Sequence, residues 1–360
     1  MIIDLFELSL KVKRVERRDN MEQKRLTKGP LLDAKGHLIE AGYATSLVKD
    51  YYRDMVKVRG MRIKEWDYYY LGNDQYGIAF TVADNSYMWL TSTTFFDFNQ
   101  PKETSSTKMG WFPNGKLHLP RTSQKGDVVF KRKKQSYAYT LNGNKRNLSI
   151  SIQDFTKGVN LQAEIQLEPT IKDSMVIVTP FEKKKHFYYN QKINLLKAKG
   201  FVKIGETTYD FNNTYGVLDW GRGVWTYKNT WYWSSLSGVY QNKKIGFNLG
   251  YGFGDPSQAT ENMLFYGDET FKFDDVTFHI PMKDQREDFL APWIICDEKK
   301  NINLSFTPIL DRHSHSNVLI IKSIQHQVFG RFTGTFRLPN GKLIELKDMM
   351  GFAEKVVNHW

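Results

Sequence analysis

The feature that most constrains this chain is the period of its apolar residues, which is two rather than 3.6. Leu161, Ala163, Ile165 and Leu167 alternate with Gln162, Glu164, Gln166 and Glu168, the pattern of a strand with one face buried and the other in water. From Ile245 onward Phe247, Leu249, Tyr251 and Phe253 are large, whereas Gly246, Asn248, Gly250, Gly252 and Gly254 between them are small. Val328, Gly330, Phe332, Gly334, Phe336 and Leu338 share another face, with Arg331, Thr333, Thr335 and Arg337 on its reverse. Such a pattern buries one side only when successive side chains point in opposite directions, as they do along a strand. Asn114-Gly115, Asn142-Gly143 and Asn340-Gly341 punctuate the strands with pairs that suit the positive φ of a type I′ turn. Helical patterns are few, with one short candidate over Ala44 to Val56.

Many short strands separated by turn signals predict an all-β protein of antiparallel sandwich or barrel type. At 360 residues one sheet system would be large, so two barrel-like halves are expected. The softest boundary is the charged, aromatic stretch Phe181 to Gln191, which divides the chain into 21–185 and 186–360. No internal sequence repeat accompanies this division. Residues 1–20 end in the charged run Lys11 to Asn20 and read as a disordered extension or a misplaced start, with folded sequence opening at Met21.

Composition narrows the function classes. A lone cysteine, Cys296, cannot close a disulfide or build a structural zinc site. It follows apolar Trp293-Ile294-Ile295 and reads as core rather than nucleophile. No apolar run approaches the ~18 residues of a spanning helix, and the expectation is a soluble, cytoplasmic protein. The 51 Lys and Arg exceed the 39 Asp and Glu by 12, which raises nucleic-acid binding. However, the runs Lys131-Arg132-Lys133-Lys134 and Lys183-Lys184-Lys185 adjoin strand and turn signals without a nucleic-acid motif. Edge-strand lysines that discourage sheet-to-sheet pairing explain them, so no nucleic-acid partner is expected.

Three constellations can carry chemistry. Tyr215 to Trp225 places Asp219, Trp220, Arg222 and Trp225 among glycines, and Trp231-Tyr232-Trp233 follows. Asp219 and Arg222 there read either as an ion pair orienting a ligand or as a structural salt bridge at a barrel end. Gly250 to Asn262 carries Tyr251, Asp255, Glu261 and Asn262. Its glycines leave room on one strand face, and no helix follows to make it a nucleotide loop. Glu261 reads as a general acid if buried among aromatics, or as a backbone cap. Arg62 to Tyr70 adds Trp66 and Asp67 on an aromatic strand, for which an ordinary amphipathic strand is the competing reading. His313-Ser314-His315, with Asp311 and His326 nearby, falls short of three convergent ligands and reads as a surface turn. No metal and no cofactor are expected.

Taken together, several blocks resemble the bacterial domain-of-unknown-function 2804 family. They are Gly29-Pro30-Leu31-Leu32-Asp33, Ala41-Gly42-Tyr43, Arg62 to Tyr69, Asp219 to Trp225, Thr260-Glu261-Asn262, Phe329 to Gly334 and Gly351 to Lys355. They run from about Lys28 to Trp360, and one departure is Thr226, where proline is expected after the tryptophan. The resemblance assigns no activity. More distantly the pattern is similar to two-domain lipocalin-like proteins such as carotenoid hydratases and tocopherol cyclases, an analogy of fold that transfers no reaction. It implies two lipocalin-like halves.

The resulting expectation is a hydrophobic small molecule held in an aromatic-lined cavity at a barrel or domain interface. Trp66, Asp67, Trp220, Arg222, Trp225, Trp231, Tyr251, Asp255 and Asn262 are the candidate ligand contacts. Asp219 and Glu261 are the candidate catalytic acids in an enzymatic version, a hydration, cyclisation or isomerisation of an isoprenoid-like substrate. Trp220, Trp225, Trp231 and Tyr251 would face the cation formed. The competing class is an interaction protein that uses its basic surface on acidic partners or membranes.

Overall fold

A computed structural model describes residues 22–318 and 321–359. The expected extension over residues 1–20 lies outside them. Among the described residues the only helical element is a single 3-10 turn, Arg53–Met55, which falls inside the helical candidate. No helix there is long and apolar enough to cross a membrane.

Thirteen of the described strands form one sheet and nine form another. The first runs in spatial order Lys102–Trp111, Met88–Asp97, Tyr76–Asp84, Ile63–Gly72, Tyr215–Val224, Phe187–Ile204, Val159–Pro169, Lys145–Thr156, Gln135–Asn142 and Val128–Arg132. The second is centred on Lys243–Tyr251, Lys228–Tyr240, Leu343–His359, Ile321–Arg337 and Ile302–Val318. Each sheet curls on itself. In the first, Thr93 and Tyr137 share a hydrogen bond of 2.9 Å between strands far apart in the sheet order. These are the two lipocalin-like halves.

The alternation read from the sequence fills each half. Leu161, Ala163, Ile165 and Leu167 are buried in the first core, and Phe247, Leu249, Val328, Phe332 and Phe336 in the second. Asn340-Gly341 does turn the chain between paired strands, but only Gly341 takes positive φ. The turn is therefore type I with Pro339 second, closed by a left-handed glycine rather than type I′. At Asn142-Gly143 the turn centre is Gly143-Asn144, again with positive φ at the glycine alone.

The change from one sheet to the other falls between Val224 and Lys228, later than the 185/186 boundary read from the sequence. The charged stretch before Phe187 is a turn. The strand it opens, Phe187–Ile204, is an interior strand of the first sheet, paired on both sides. Two interface clusters join the halves: Tyr70, Phe96, Val217, Trp233, Phe329 and Phe352 in one, and Tyr188, Leu195, Met263 and Phe265 in the other.

Candidate functional site

Strand periodicity decides what Tyr215–Val224 can present. Its residues 217, 219, 221 and 223 face the second half, whereas 218, 220, 222 and 224 enter the first core. Asp219 pairs in register with Tyr68 on one neighbour and Lys192 on the other, so all three side chains share the interface face.

There Asp219 accepts a 2.7 Å ion pair from Lys192 and a 2.6 Å hydrogen bond from the Asn190 amide. The Lys192 ammonium lies 3.7 Å from the centre of the Trp233 ring, a cation–π contact made strong by desolvation. Trp233 Nε1 donates to Asn248 Oδ1 at 2.7 Å. Asn248 in turn donates to the Glu261 backbone carbonyl at 2.8 Å and its carboxylate at 3.3 Å. The Glu261 side chain lies over Gly250, where an added Cβ would come within 2.7 Å of Oε1. A third acid, Glu354, stands opposite Trp233 in the sheet and accepts from Trp231 Nε1 at 3.1 Å and Gln325 Nε2 at 3.2 Å.

Three carboxyls thus surround one ammonium in the interface. Burial pushes Glu354 up to about 7, against the Trp231 hydrogen bond and the Lys192 charge. Burial likewise raises Glu261, opposed by Lys192 and helped by the negative charge of Asp219. Desolvation disfavours the charged form of a buried acid, and at Glu261 it outweighs the charges of both Lys192 and Lys272. The Tyr188 hydroxyl, raised far above its usual range by burial, also feels Glu261, Asp219 and Glu354.

The sign of the Glu354 shift gives a testable pH dependence. Between about 4.5 and about 7 the folded chain keeps the Glu354 proton that the unfolded chain has lost. Its contribution to stability therefore falls as pH rises through that window, by on the order of 3 kcal/mol. Glu354→Gln removes this titration, so its stability relative to wild type should climb across the window in denaturant melts. A difference that stays flat with pH would contradict the assignment.

Beside the acids stands an aromatic wall. Trp66 stacks on Tyr188 at 6.2 Å and meets Trp225 edge-on at 5.3 Å. Phe253 sits among Tyr188, Trp225 and Trp231 at 4.7, 4.8 and 5.0 Å. Gly221 makes the wall sterically feasible, because a Cβ there would lie 1.9 Å from the Trp66 ring. Buried Lys64 points its amine at the Trp225 ring, 5.3 Å from its centre, and desolvation lowers that amine to about 7.

The structure thus brings together Asp219, Glu261, Trp66, Trp225 and Trp231. It places the other candidates elsewhere. Arg222 and Trp220 face the first core, where Arg222 stacks on Trp220 at 4.4 Å and pairs with Asp67 at 3.0 Å. Arg222 also donates to the carbonyls of Trp66 and Pro120, both at 2.8 Å, so it anchors the strand that carries Trp66. Of the two readings of Asp219 and Arg222, neither holds as a pair: alternation sends them to opposite faces. Tyr251 stacks on Tyr232 at 4.5 Å on the second core's side. Asp255 is exposed and caps its own turn through Ser257 N–H. Asn262 bonds the Gly250 N–H and the Asp274 carbonyl, a structural brace.

Lys192, Asn190, Asn248 and Glu354 were not singled out in the sequence. Glu354 had a signal, an acid inside the apolar run Gly351-Phe352-Ala353 to Val356. Cys296 is half-buried with its thiol pushed up by burial. His326 pairs with Asp311 at 2.7 Å and stacks on His313. No group of three or more His, Cys, Asp or Glu among the described residues is placed to hold a metal ion.

The barrel interiors are filled with side chains. A groove of about 260 Å³ is lined by Pro30, Leu32, Asp50, Tyr52, Asp54 and Met55, none of which belongs to the acid cluster. An interface cavity of about 20 Å³ adjoins Tyr70, Val217 and Phe352, enough for little more than a water molecule.

Two curled antiparallel halves meeting through their outer faces define a two-domain lipocalin-like protein. Within that class, the chain belongs to the family described as domain of unknown function 2804, matched over residues 22–360. Among solved structures it is similar to a provisionally named AttH of Nitrosomonas europaea. That likeness has 11% identity and a TM-score of 0.50, covering 85% of this chain and 96% of that one, and is one of fold. A kievitone hydratase of Nectria haematococca is similar at 12% identity and a TM-score of 0.49, over 94% of this chain and 98% of that one. No curated protein matches the chain in sequence.

Proposed function

We propose that the interface site binds a hydrophobic small molecule against Trp66, Tyr188, Trp225 and Trp231, and that Glu354 and Glu261 serve it as proton donors. The observation that carries this reading is the gathering of Asp219, Glu261 and Glu354 about Lys192, with Asp219 paired to the lysine and both glutamates pushed up by burial. A structural ion pair needs one acid, and further carboxyls with raised pKa in the same site mark it as a candidate for chemistry. Lys192 and Asn190 hold Asp219 in place, which makes Asp219 the residue that positions the lysine. Glu354, bonded to an indole N–H within an aromatic wall, is the acid best placed to protonate an apolar substrate.

The reaction class that fits is proton addition to an alkene. A carboxyl proton adds to one alkene carbon, leaving a carboxylate and a carbocation that the indole faces stabilise. Capture of water, ring closure or loss of a neighbouring proton then completes hydration, cyclisation or isomerisation and returns a proton to the carboxylate. Asn190 Oδ1 and Gln327 Oε1 are buried acceptors without a protein donor, which suits a substrate that also carries a hydroxyl.

Entry requires Phe253 to move, because its ring occupies the middle of the wall. Phe253→Ala opens a ring-sized space and should tighten binding of farnesol, read by saturable quenching of tryptophan fluorescence. In heavy water, deuterium should enter bound farnesol with the wild type and much more slowly with Glu354→Gln, whose binding is retained. Absence of saturable quenching in both wild type and Phe253→Ala would overturn the binding site. Deuterium uptake undiminished in Glu354→Gln would overturn the assignment of the acid.

A further inference from the structure

The first half exposes a second feature, independent of the interface site. Met109, Trp111 and Phe112 are 58, 62 and 60% exposed at the end of the edge strand Lys102–Trp111 and just beyond it. Three large apolar side chains at one strand end are more than scattered surface hydrophobicity requires. The Phe112 backbone sharpens this. Its φ is +56°, a region that bulky residues seldom occupy. The Phe112 N–H is fixed on the Tyr87 carbonyl at 2.8 Å, and the ring rests against Trp111 at 6.3 Å. The fold gains little from a phenylalanine here, since its ring is mostly in solvent and its backbone is strained.

Basic residues border these rings. Trp89 underlies Gly110, where a Cβ would meet its indole at 2.2 Å. The same indole carries the Arg132 guanidinium 5.7 Å from its centre. Arg132 belongs to the exposed run Lys131 to Lys134 on the hairpin between Val128–Arg132 and Gln135–Asn142. Lys134 pairs with Asp154 at 2.7 Å, and Lys108 lies close enough to Asp154 to lower its carboxyl further. The barrel's closure therefore sets Arg132, through Trp89, beneath Gly110 at the strand end that presents Met109, Trp111 and Phe112, and brings Lys108 and Lys134 to Asp154 on the strand's other face.

We infer that this end of the first half is a docking surface for an anionic lipid bilayer. Indole and phenyl rings partition to the headgroup boundary, and aliphatic Met109 adds apolar area that a nucleic acid would not use. The surrounding cations meet the negative surface potential of the leaflet. The strain at Phe112 is then explained, because it aims the ring outward at the bilayer.

Co-sedimentation of the full chain with vesicles tests this. Binding is expected to vesicles of phosphatidylcholine with phosphatidylserine, to weaken with added salt, and to be absent with phosphatidylcholine alone. Phe112→Asn suits a left-handed backbone, so it should leave the melting temperature unchanged or raised while weakening vesicle binding; a purely structural phenylalanine would show the reverse. The triple variant Lys131→Glu, Lys133→Glu, Lys134→Glu lies on exposed positions and should weaken binding at least about tenfold. Binding equal on neutral and anionic vesicles, absent from both, or unchanged in these variants would overturn the proposal. So would retention of single-stranded nucleic acid, or a dimer in light scattering, that both variants abolish while vesicles stay unbound.

Discussion

Replacing Lys192 by methionine is expected to destabilise the protein by about 3–5 kcal/mol at neutral pH, the range for removing one partner of a buried ion pair. Methionine keeps the apolar stem on the Trp233 ring and removes only the charge. Asp219 then loses its 2.7 Å partner, and Glu261 and Glu354 lose the cation that opposes their upward shifts. The loss should shrink near pH 5, below the raised Glu354 carboxyl at about 7, where Glu354 carries its proton in any case. Urea titrations at both pH values measure this. Asp219→Asn alone should also destabilise, and the double variant should recover a coupling energy of at least about 2 kcal/mol. A strictly additive cycle would show that the pair does not organise the site.

Trp233→Ala should cost a similar amount, about 3–5 kcal/mol, as for other buried aromatic truncations. The side chain is 5% exposed and joins four neighbours from both halves. Tyr68 and Phe352 meet its ring edge-on at 6.1 and 4.8 Å, Lys192 caps its face, and Asn248 accepts its N–H. Alanine leaves a cavity, an uncovered ammonium and an amide oxygen without its donor. Trp233→Phe keeps most of the packing and should cost only about 1–3 kcal/mol for the lost hydrogen bond. Because the residue bridges the halves, the urea dependence of unfolding is informative as well. If Trp233→Ala shifted the midpoint by less than Trp233→Phe, the interface would not be a cooperative core.

Both effects rest on contacts between residues remote in sequence, and that marks how far the chain could be read unaided. Alternation at Leu161–Leu167 and Val328–Leu338 was legible because a strand's two faces are set by neighbouring side chains. Asp219 and the tryptophans that follow it, Trp220 and Trp225, were visible as one local block. What alternation hides is which sheet each face meets. Asp219 and Arg222 look like one constellation at a spacing of three, yet an odd spacing along a strand sends them to opposite sides. Tyr251 and Phe253 share a parity, but the strand ends at Tyr251, so Phe253 leaves the second core and joins the interface wall.

The sequence by itself determined the all-β class, the two curled halves and the membership of one family. These follow from local periodicity, turn chemistry and blocks of residues spread along the whole chain. Only the tertiary structure decided that Lys192, Asp219, Glu261 and Glu354 form one buried cluster. It also decided that the halves divide after Val224 rather than near residue 185. Strand order is the reason. Tyr215–Val224 lies between Ile63–Gly72 and Phe187–Ile204, a pairing that depends on long-range closure and leaves no trace in the spacing of any one segment. The same closure lays Arg132 of one hairpin on Trp89, beneath the strand end that carries Trp111.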